Sequence, residues 1–441
     1  MFRKRKTIAV VVDQYSPEYM NKEMVTFARK LSASAELDGW VVSNATNNNL
    51  GIERIHESIK LVRLQIPANR EWPPLHHWRY YLFLLANGAR IGCVWLYRGR
   101  QYVLPTVVWC KLIGAKIVIR LDGLNGVSWL SKRLYDSRRQ TKPAKRFGGV
   151  TANSGRTIES SLESSRRGAI HRSLSWVKSV TRAGIDFLDR DLPLILADAV
   201  LVETPEVADS LVPLYVARKC VLYVNGPSAA LMEGEDRTID LTSKTNCILA
   251  VGRIRPSKGF IYLVRAFACL PKALREEWPL IIVGPVEDDD YFEEMSKLVV
   301  SLGVATSVQI RSAVYGSDLY ELLRRSAIFV LPSTSGEGQP NIITEAMYFK
   351  CAVIGTQVGT VPFQLDYGRA GILVEPMNVS SLSNALAELI RNDRLRKALS
   401  ERAEERARND LSPDKSMSIL TKMIYPSTDQ KGGVVPSAIA S

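Results

Sequence analysis

The stretch CILAVGRIRPSKGFIYLVRAFA, residues 247–268, contains the pattern that decides the fold. It begins with an apolar run, 247–251, whose length and composition predict a buried strand. A glycine-containing loop follows at 252–259, and the apolar spacing of 260–268 predicts a helix. Buried strands that alternate with helices are typical of a parallel, doubly wound sheet. We therefore expect an α/β fold.

The same alternation extends through the rest of the chain. Further strands are predicted at 7–12, 40–43, 91–97, 116–121, 199–203, 220–224, 280–283, 308–310, 328–331 and 352–355. Further helices are predicted at 23–37, 102–112, 291–302, 319–325 and 341–349, with a long amphipathic helical region at 382–407.

A chain of 441 residues is too long for one core and fits two domains of about 200 residues each. The polar segment 228–245 suits a linker, so we predict domains at 1–235 and 236–425 and a disordered tail at 426–441. Ligands of such sheets bind outside the carboxyl ends of the strands, here most naturally in a cleft between the domains.

The charge is strongly positive and unevenly spread. The net charge is +13, and residues 131–190 hold 14 Lys and Arg against 5 Asp and Glu. This basic stretch lacks an evident motif, and we interpret it as an insertion in the first domain. A basic surface favours anionic partners such as phosphorylated substrates or anionic lipids. The stretch lacks the aromatic interleaving of a nucleic-acid site, so no nucleic-acid partner is expected.

Several other classes of protein are excluded by composition. With 46% hydrophobic and 23% charged residues, the chain is neither disordered nor fibrous. The six cysteines are scattered, without C-x-x-C or zinc spacing, which predicts core cysteines, a reducing compartment and no metal site. No apolar run is long enough to span a membrane, and 7–12 is too short for a signal peptide, so we expect a cytoplasmic protein.

The loop VGRIRPSKG, residues 251–259, is the first candidate site. Arg253 and Lys258 both leave the carboxyl end of a predicted strand. Arginine binds phosphate as a fork and lysine as a point charge, so the pair suits a diphosphate. The alternative is a solvated basic turn.

The second candidate site is LPSTSGEGQPNIITEAM, residues 331–347. Glu337 lies in the loop and Glu345 two turns further on, within the predicted helix. The helix begins at Asn341, and its first N–H groups can attract an anion. Carboxylates at these positions can accept hydrogen bonds from sugar hydroxyls. An ordinary helix start with surface acids is the alternative.

Together these segments resemble glycosyltransferase family 4, a large group of retaining enzymes with the GT-B fold. The E-x7-E pair is Glu337 and Glu345, and the family's basic loop corresponds to 251–259. Further matches are PNIITEAM at 340–347, Gly359 within TQVGTVP, and AGILVEP at 370–376. The resemblance covers about 247–407, whereas the N-terminal half matches only loosely, through Asn225-Gly226 and the order of strands and helices.

The resemblance implies two Rossmann-like domains that face each other across a cleft, with the acceptor on the N-terminal side. It implies that Arg253 and Lys258 bind the donor diphosphate, Glu345 the ribose and Glu337 the transferred sugar. The backbone of the 338–341 segment would contact sugar and phosphate through Gly338, Gln339, Pro340 and Asn341. Such hexosyltransferases need no metal and no cofactor beyond the nucleotide-sugar donor, because the cations and the helix start neutralise the leaving diphosphate.

The sequence departs from the family pattern in four places. The usual Gly-Gly is absent from 17–22, and Asp122 stands where a histidine often occurs. Lys350 replaces a common glycine, and Phe363 replaces a common glutamate. Asp122 is either a substitute catalytic group or the cap of a turn.

The aromatic segment 72–81 has three open interpretations: it packs into the first domain, it stacks on sugars, or it lies at a membrane interface.

The motifs and the resemblance together predict a retaining glycosyltransferase. We expect it to extend a glycan, a lipid-linked or cell-surface polysaccharide precursor, at the cytoplasmic face of an anionic membrane. The alternatives are a non-catalytic nucleotide-sugar-binding or assembly subunit, and an epimerase or phosphorylase of the same fold.

Overall fold

The structure is a computed structural model of the chain. It describes residues 7–14, 38–44, 51–56, 59–64, 78–97, 103–121, 184, 187–211, 216–224 and 244–424. The described residues form two compact units. The first contains those up to 221 together with 422–424, and the second contains 222–421. The predicted boundary at 235/236 lies outside the described residues.

The first unit is built on an eight-stranded sheet in the order β3-β4-β2-β1-β5-β6-β7-β8. The β3/β4 pair at one edge is antiparallel, and the pairs from β4 through β7 are parallel. The strands are β1 Thr7–Gln14, β2 Asp38–Asn44, β3 Gly51–His56, β4 Ile59–Leu64, β5 Ile91–Tyr97, β6 Lys116–Arg120, β7 Ala199–Val202 and β8 Cys220–Leu222.

The helices described in this unit are α1 Trp78–Asn87, α2 Val103–Ile113, α3 Leu192–Leu196 and α4 Pro205–Ser210, with a π-helical segment at Phe187–Asp191 and a 3₁₀ turn at Ala217–Lys219. Of these, α1 and α2 lie next to each other. The Thr106 hydroxyl of α2 donates to the Tyr80 hydroxyl of α1 at 3.2 Å, in the core of the unit.

The second unit is built on a six-stranded parallel sheet in the order β11-β10-β9-β12-β13-β14. Its strands are β9 Thr245–Val251, β10 Leu280–Val283, β11 Val308–Arg311, β12 Ser326–Leu331, β13 Ala352–Thr356 and β14 Ile372–Val374. In sequence order this is 3-2-1-4-5-6, the Rossmann arrangement, in which the winding direction reverses between β9 and β12.

Helices cover both faces of this second sheet. They are α5 Phe260–Ala268, α6 Lys272–Glu277, α7 Asp289–Ser301, α8 Ser317–Arg325, α9 Asn341–Tyr348, α10 Val361–Gln364, α11 Val379–Arg391 and α12 Asp393–Asn409, with 3₁₀ turns at Pro256–Lys258 and Asp366–Gly368. The helix α13, Pro413–Ile424, follows them, and its last three residues belong to the first unit.

The two faces have separate apolar cores, as the period of a strand requires. In β12, Ile328 and Val330 belong to the core that includes α5, α7 and α11, whereas Phe329 and Leu331 belong to the core that includes α9 and α12. All six residues of β12 are buried. Burial on both faces explains why the predicted strands read as continuous apolar runs.

The predicted strands are confirmed within about one to three residues at each end, and the α/β prediction is confirmed. The sequence analysis missed the strands β3, β4 and β14 and the helices α1, α3, α4, α6, α10 and α13. The predicted helical region at 382–407 is two helices, because the Asn392 side chain accepts a hydrogen bond from the Leu395 amide at 3.0 Å and begins a new helix. The predicted helix at 23–37, the tail at 426–441 and most of the basic stretch at 131–190 lie outside the described residues.

Two further sequence predictions concern the burial of the cysteines and the presence of membrane-spanning segments. Five of the six cysteines are buried as predicted, whereas Cys269 is exposed. Among the helices that the structure describes, none combines the length and apolar character needed to cross a bilayer.

Lys244 is a partly buried cation at the amino end of β9. Its Nζ donates to the carbonyls of Leu323 at 3.0 Å, Ser326 at 2.8 Å and Phe349 at 2.6 Å. Leu323 lies in the last turn of α8, and Phe349 is the residue at which α9 ends. One ammonium thus satisfies carbonyls at the ends of two helices, where the helix dipole favours a positive charge. Burial lowers the pKa of Lys244.

We predict that Lys244→Met destabilises the second unit by about 3 kcal/mol, because three buried carbonyls lose their shared donor. Urea denaturation followed by circular dichroism measures the loss. The control is Lys297→Met, since Lys297 is exposed and pairs with Glu293 within one helix, and exposed pairs of this kind contribute little to stability. Equal losses in both variants would contradict the capping role.

Candidate functional site

Both sequence-predicted loops lie at the point where the second sheet reverses its winding. The loop 252–259 follows β9 and the loop 332–340 follows β12, and these two strands are neighbours. The Thr334 amide donates to the Ser257 carbonyl at 2.9 Å, so the loops are joined by backbone. The carboxyl ends of parallel strands at such a reversal are where ligands bind in open α/β sheets.

Glycines permit this close approach of the loops. Gly259 has φ +67°, and a Cβ there would lie 2.1 Å from the Pro332 carbonyl oxygen. Gly359 has φ +55°, and its Cβ would lie 1.7 Å from the Glu337 carbonyl oxygen. Only glycine combines a left-handed backbone with no side chain. The loops after β9, β12 and β13 therefore meet backbone to backbone.

Lys258 and Glu337 form an ion pair across this junction. Lys258 Nζ lies 2.5 Å from Glu337 Oε1, and the two side chains are 13% and 9% exposed. The Ser333 hydroxyl donates to the same carboxylate oxygen and is buried. The structure thus brings together the predicted diphosphate cation and the predicted sugar carboxylate, although they are 79 residues apart in the chain.

A second layer of hydroxyls holds the 332–340 loop in place. The Thr356 hydroxyl, at the end of β13, donates to the Ser333 carbonyl at 2.6 Å. The Thr360 hydroxyl donates to the Gly338 carbonyl. Both threonines are buried. The backbone on each side of Glu337 is therefore fixed from the neighbouring strand, which limits the movement of its carboxylate.

Arg253 lies on the same loop as Lys258 but has a different partner. Arg253 Nη1 lies 2.8 Å from Glu287 Oε1, and Arg255 Nη1 lies 3.3 Å from Glu287 Oε2. The Arg253 side chain is 52% exposed, in contrast to that of Lys258. An exposed ion pair of this kind is weak, so the guanidinium is available to a stronger anion.

The start of α9 presents polar groups beside this loop. Pro340 precedes the helix and has no side-chain group that could cap it. The Asn341 Oδ1 is buried and accepts no hydrogen bond from the residues that the structure describes. Gln364 Nε2 donates to the Pro340 carbonyl at 3.2 Å, and Gln339 is buried. Glu345 lies within α9, partly buried. The uncapped helix start can accept an anion.

Two departures from the family pattern have visible structural consequences. Lys350 has φ +55°, the conformation that glycine adopts most easily, and its Nζ lies 3.2 Å from Glu404 Oε2. Phe363 is buried, and the Arg406 guanidinium lies 5.2 Å from the centre of its ring. Asp122 and the segment 17–22 lie outside the described residues, so the roles predicted for them stay predictions.

Sequence reasoning missed Ser333, Thr356, Thr360 and Glu287. Ser333 and Glu287 follow β12 and β10, so the rule that ligands bind at the carboxyl ends of strands could have found them. The two threonines act through backbone carbonyls 22 and 23 residues away, and no local pattern signals such contacts.

Among the described residues, there is no group of three or more His, Cys, Asp or Glu side chains that could hold a metal ion. The described site contains two cations, carboxylates, hydroxyls and a helix start.

Comparison with known proteins shows what this arrangement is similar to. Residues 233–406 match the family model described as glycosyl transferases group 1. This span contains both loops, β9 to β14 and the E-x7-E pair.

Two curated relatives align with about half of the chain. The chain is 27% identical to a D-inositol 3-phosphate glycosyltransferase of Corynebacterium jeikeium, over 48% of this chain and 53% of that protein. It is 28% identical to an N-acetylgalactosamine-N,N'-diacetylbacillosaminyl-diphospho-undecaprenol 4-alpha-N-acetylgalactosaminyltransferase of Campylobacter jejuni, over 43% of this chain and 50% of that protein. The chain thus spans about half the length of these relatives.

A solved structure extends the similarity to the whole fold. The Anabaena protein HepE, determined in complex with UDP, superposes with a TM-score of 0.62 at 13% identity and covers 95% of this chain and 99% of HepE. At this identity the likeness shows the fold alone, which is the GT-B type with two Rossmann-like domains, as predicted.

We predict that Gly259→Ala disrupts the junction of the loops, because its Cβ would lie 2.1 Å from a backbone oxygen that cannot move aside freely. The expected loss of stability is about 3 kcal/mol, the sum of strain and overpacking. Gly303→Ala is the matched control, since Gly303 has φ +62° and no atom near its Cβ position. The Gly303→Ala variant should lose only about 1–2 kcal/mol of stability, which is the cost of a side chain on a left-handed backbone. Thermal melts that show equal losses would contradict the close approach.

Proposed function

We propose that the protein is a retaining, metal-independent glycosyltransferase that transfers a sugar from a nucleotide-sugar donor to a glycan acceptor. The observation that most supports the proposal is the Lys258–Glu337 ion pair beside an uncapped helix start, within the span that matches a glycosyltransferase family model. A nucleotide-sugar donor has a diphosphate next to a sugar. In this site a cation that could bind the diphosphate lies next to a carboxylate that could accept hydrogen bonds from the sugar hydroxyls.

Each group has a specific role in this proposal. Lys258 and Arg253 bind the diphosphate and stabilise the charge that develops as it leaves. Glu337 accepts hydrogen bonds from hydroxyls of the transferred sugar, and the Glu345 carboxylate binds the ribose. The backbone from Gly338 to Asn341 contacts the sugar and the phosphate.

When the donor binds, the diphosphate replaces Glu337 as the ion-pair partner of Lys258. Lys258 Nζ is 2.5 Å from Glu337 Oε1, so the ammonium can contact a phosphate oxygen and still remain near the carboxylate. The Ser333 hydroxyl still donates to Glu337 after this exchange. The carboxylate therefore stays fixed while its lone pairs become available to the sugar.

The relatives suggest the class of acceptor. The name of the Campylobacter relative gives a diphospho-undecaprenol-linked sugar as the group that it extends, and the Corynebacterium relative is named for an inositol phosphate. We propose a lipid-linked or cell-surface polysaccharide precursor as the acceptor, handled at the cytoplasmic face of a membrane.

A panel of UDP-, GDP- and ADP-sugars tests the proposal. We expect one donor to be hydrolysed slowly or transferred to a lipid-linked acceptor, with NMR showing the same anomeric configuration in donor and product. Saturable donor binding without turnover would instead support a non-catalytic nucleotide-sugar-binding subunit. Inversion at the anomeric carbon would refute the retaining mechanism.

We predict that Lys258→Ala and Arg253→Ala each lower kcat/KM about 10²- to 10³-fold, because each removes a charge that stabilises the leaving diphosphate. Steady-state kinetics with the selected donor measure the effect, and circular dichroism confirms the fold. Lys272→Ala, at an exposed residue that pairs with Glu276 within one helix, is the control and should leave kcat/KM unchanged. Near-normal kcat/KM in either site variant would show that the diphosphate binds elsewhere.

Glu337→Gln and Glu345→Gln should have different kinetic effects. We predict that Glu345→Gln mainly raises the KM for the donor, because a ribose contact acts equally on the ground state and the transition state. Glu337→Gln should lower kcat as well, because Glu337 contacts the reacting sugar. Identical changes in kcat and KM for the two variants would contradict these separate roles.

Chelation tests the absence of a metal from the mechanism. We predict that EDTA leaves the initial rate unchanged, because cationic side chains and a helix start supply the positive charge. A loss of activity that Mg²⁺ or Mn²⁺ restores would require a metal-dependent mechanism.

A further inference from the structure

Two neighbouring helices of the first unit expose apolar side chains on the faces where surface helices are normally polar. On α1 the exposed positions are Leu82, Leu85 and Ala86, spaced as one helical stripe, and Ala89 is exposed just after the helix ends. On α2 the exposed apolar side chains are Val108, Leu112 and Ile113, and Lys111 is exposed among them. Leu85 is 64% exposed and Leu112 is 81% exposed. Both helices also have a buried apolar side, which belongs to the core of this unit.

The two stripes form one surface because the helices pack side by side. Tyr80 and Thr106 are hydrogen-bonded near the amino ends of the two helices. Near the carboxyl ends, a Cβ on Gly88 would lie 3.1 Å from Trp109 Cζ2. The helices thus run in the same direction with their exposed sides adjacent. We call the exposed side chains of α1 and α2 the apolar face.

Cations lie at the carboxyl ends of α1 and α2, and acids are absent from the sequence that forms the two helices. Residues 72–121 contain no Asp or Glu and seven Lys or Arg. Arg90 is exposed just after α1. Lys111 and Lys116 flank Asp198, at 2.9 Å and 3.5 Å, with more than 40% of each lysine side chain exposed.

Lys219 adds a third ammonium near this edge, held by the carbonyls of Ile195 at 2.7 Å and Ala197 at 3.0 Å. Burial would raise the pKa of Asp198, but the hydrogen bond from Lys111 and the nearby lysine charges hold that pKa below its usual value. Asp198 thus offsets one of the three lysine charges, and the edge of the apolar face stays cationic.

We propose that the apolar face docks on a lipid bilayer that contains anionic headgroups. The leucine, isoleucine and valine side chains would enter the boundary between headgroups and acyl chains, while Arg90, Lys111 and Lys116 contact lipid phosphates. The exposed residues of this surface, 82–113, lie between the 72–81 and 131–190 segments singled out by the sequence, and α1 begins within the first of these segments. The proposal does not depend on the proposed glycosyl transfer.

The composition of the face favours a bilayer over a protein partner. Apart from Lys111, none of the exposed side chains that the structure describes on α1 and α2 carries a hydrogen-bonding group, and the partly buried Asn87 donates to the Phe83 carbonyl of its own helix at 2.8 Å. A second copy of the chain, related by a two-fold axis, would place cations against cations with no exposed acid of the 72–121 stretch to compensate. An anionic membrane is complementary to both the apolar and the charged groups.

Vesicle co-sedimentation of the full chain tests the proposal. We expect binding to vesicles of equal phosphatidylcholine and phosphatidylglycerol and much weaker binding to pure phosphatidylcholine. Leu85→Gln combined with Leu112→Gln should lower the partition coefficient about ten-fold or more, because two large apolar side chains no longer enter the bilayer. Arg90→Gln should weaken binding to the anionic vesicles only. Val300→Gln is the control, since Val300 is 71% exposed on α7 of the second unit.

Several results would overturn the proposal. They are no binding to either kind of vesicle, equal binding to both, or the same partition coefficient in the wild type and the double leucine variant. A dimer in sedimentation velocity that the double leucine variant dissociates, together with no vesicle binding, would assign the face to a second copy. Circular dichroism melts establish that the variants are folded, which exposed positions allow.

Discussion

The backbone contacts between the loops of the second unit are the constraint on which the site depends. Gly259 lies against the Pro332 carbonyl, and Gly359 lies against the Glu337 carbonyl, in both cases too close for any side chain. These contacts join the loops that follow β9, β12 and β13. Lys258 and Glu337 consequently meet at 2.5 Å even though they come from separate strands. The fold itself thus holds a cation and a carboxylate side by side.

Preorganisation of this kind is what an electrostatic site requires. A group that is already oriented does not pay an ordering cost when the ligand binds or when charge develops. Ser333, Thr356 and Thr360 contribute by holding the loop through hydrogen bonds rather than by offering groups to the solvent. At the opposite end of β9, Lys244 binds carbonyls at the ends of α8 and α9, so the two strands beside the site are fixed at both ends.

Local patterns in the sequence predicted the sheets of both units and the two loops of the site. They succeeded because strands such as β12 are buried on both faces and therefore appear as apolar runs. They failed for β3 and β4, an antiparallel edge pair containing charged residues, and for α1, whose apolar residues lie on all sides. The pairing of Arg253 with Glu287 and of Lys258 with Glu337 depends on contacts between distant segments, which spacing along the chain does not encode.

We propose that Lys258 and its neighbours form a diphosphate site, and a series of ligands that differ in their number of phosphates distinguishes this site from a general nucleotide site. Titration calorimetry would compare a nucleoside, its monophosphate and its diphosphate, with the base that the donor panel selects, in wild-type protein and in Lys258→Ala. We expect the second phosphate to raise the affinity of the wild type about ten-fold or more, because charge-assisted hydrogen bonds are worth about 1.5–3 kcal/mol. That gain in affinity should largely disappear in Lys258→Ala. Equal affinities for the mono- and diphosphate in the wild type, or an undiminished gain in the variant, would show that Lys258 does not bind the second phosphate.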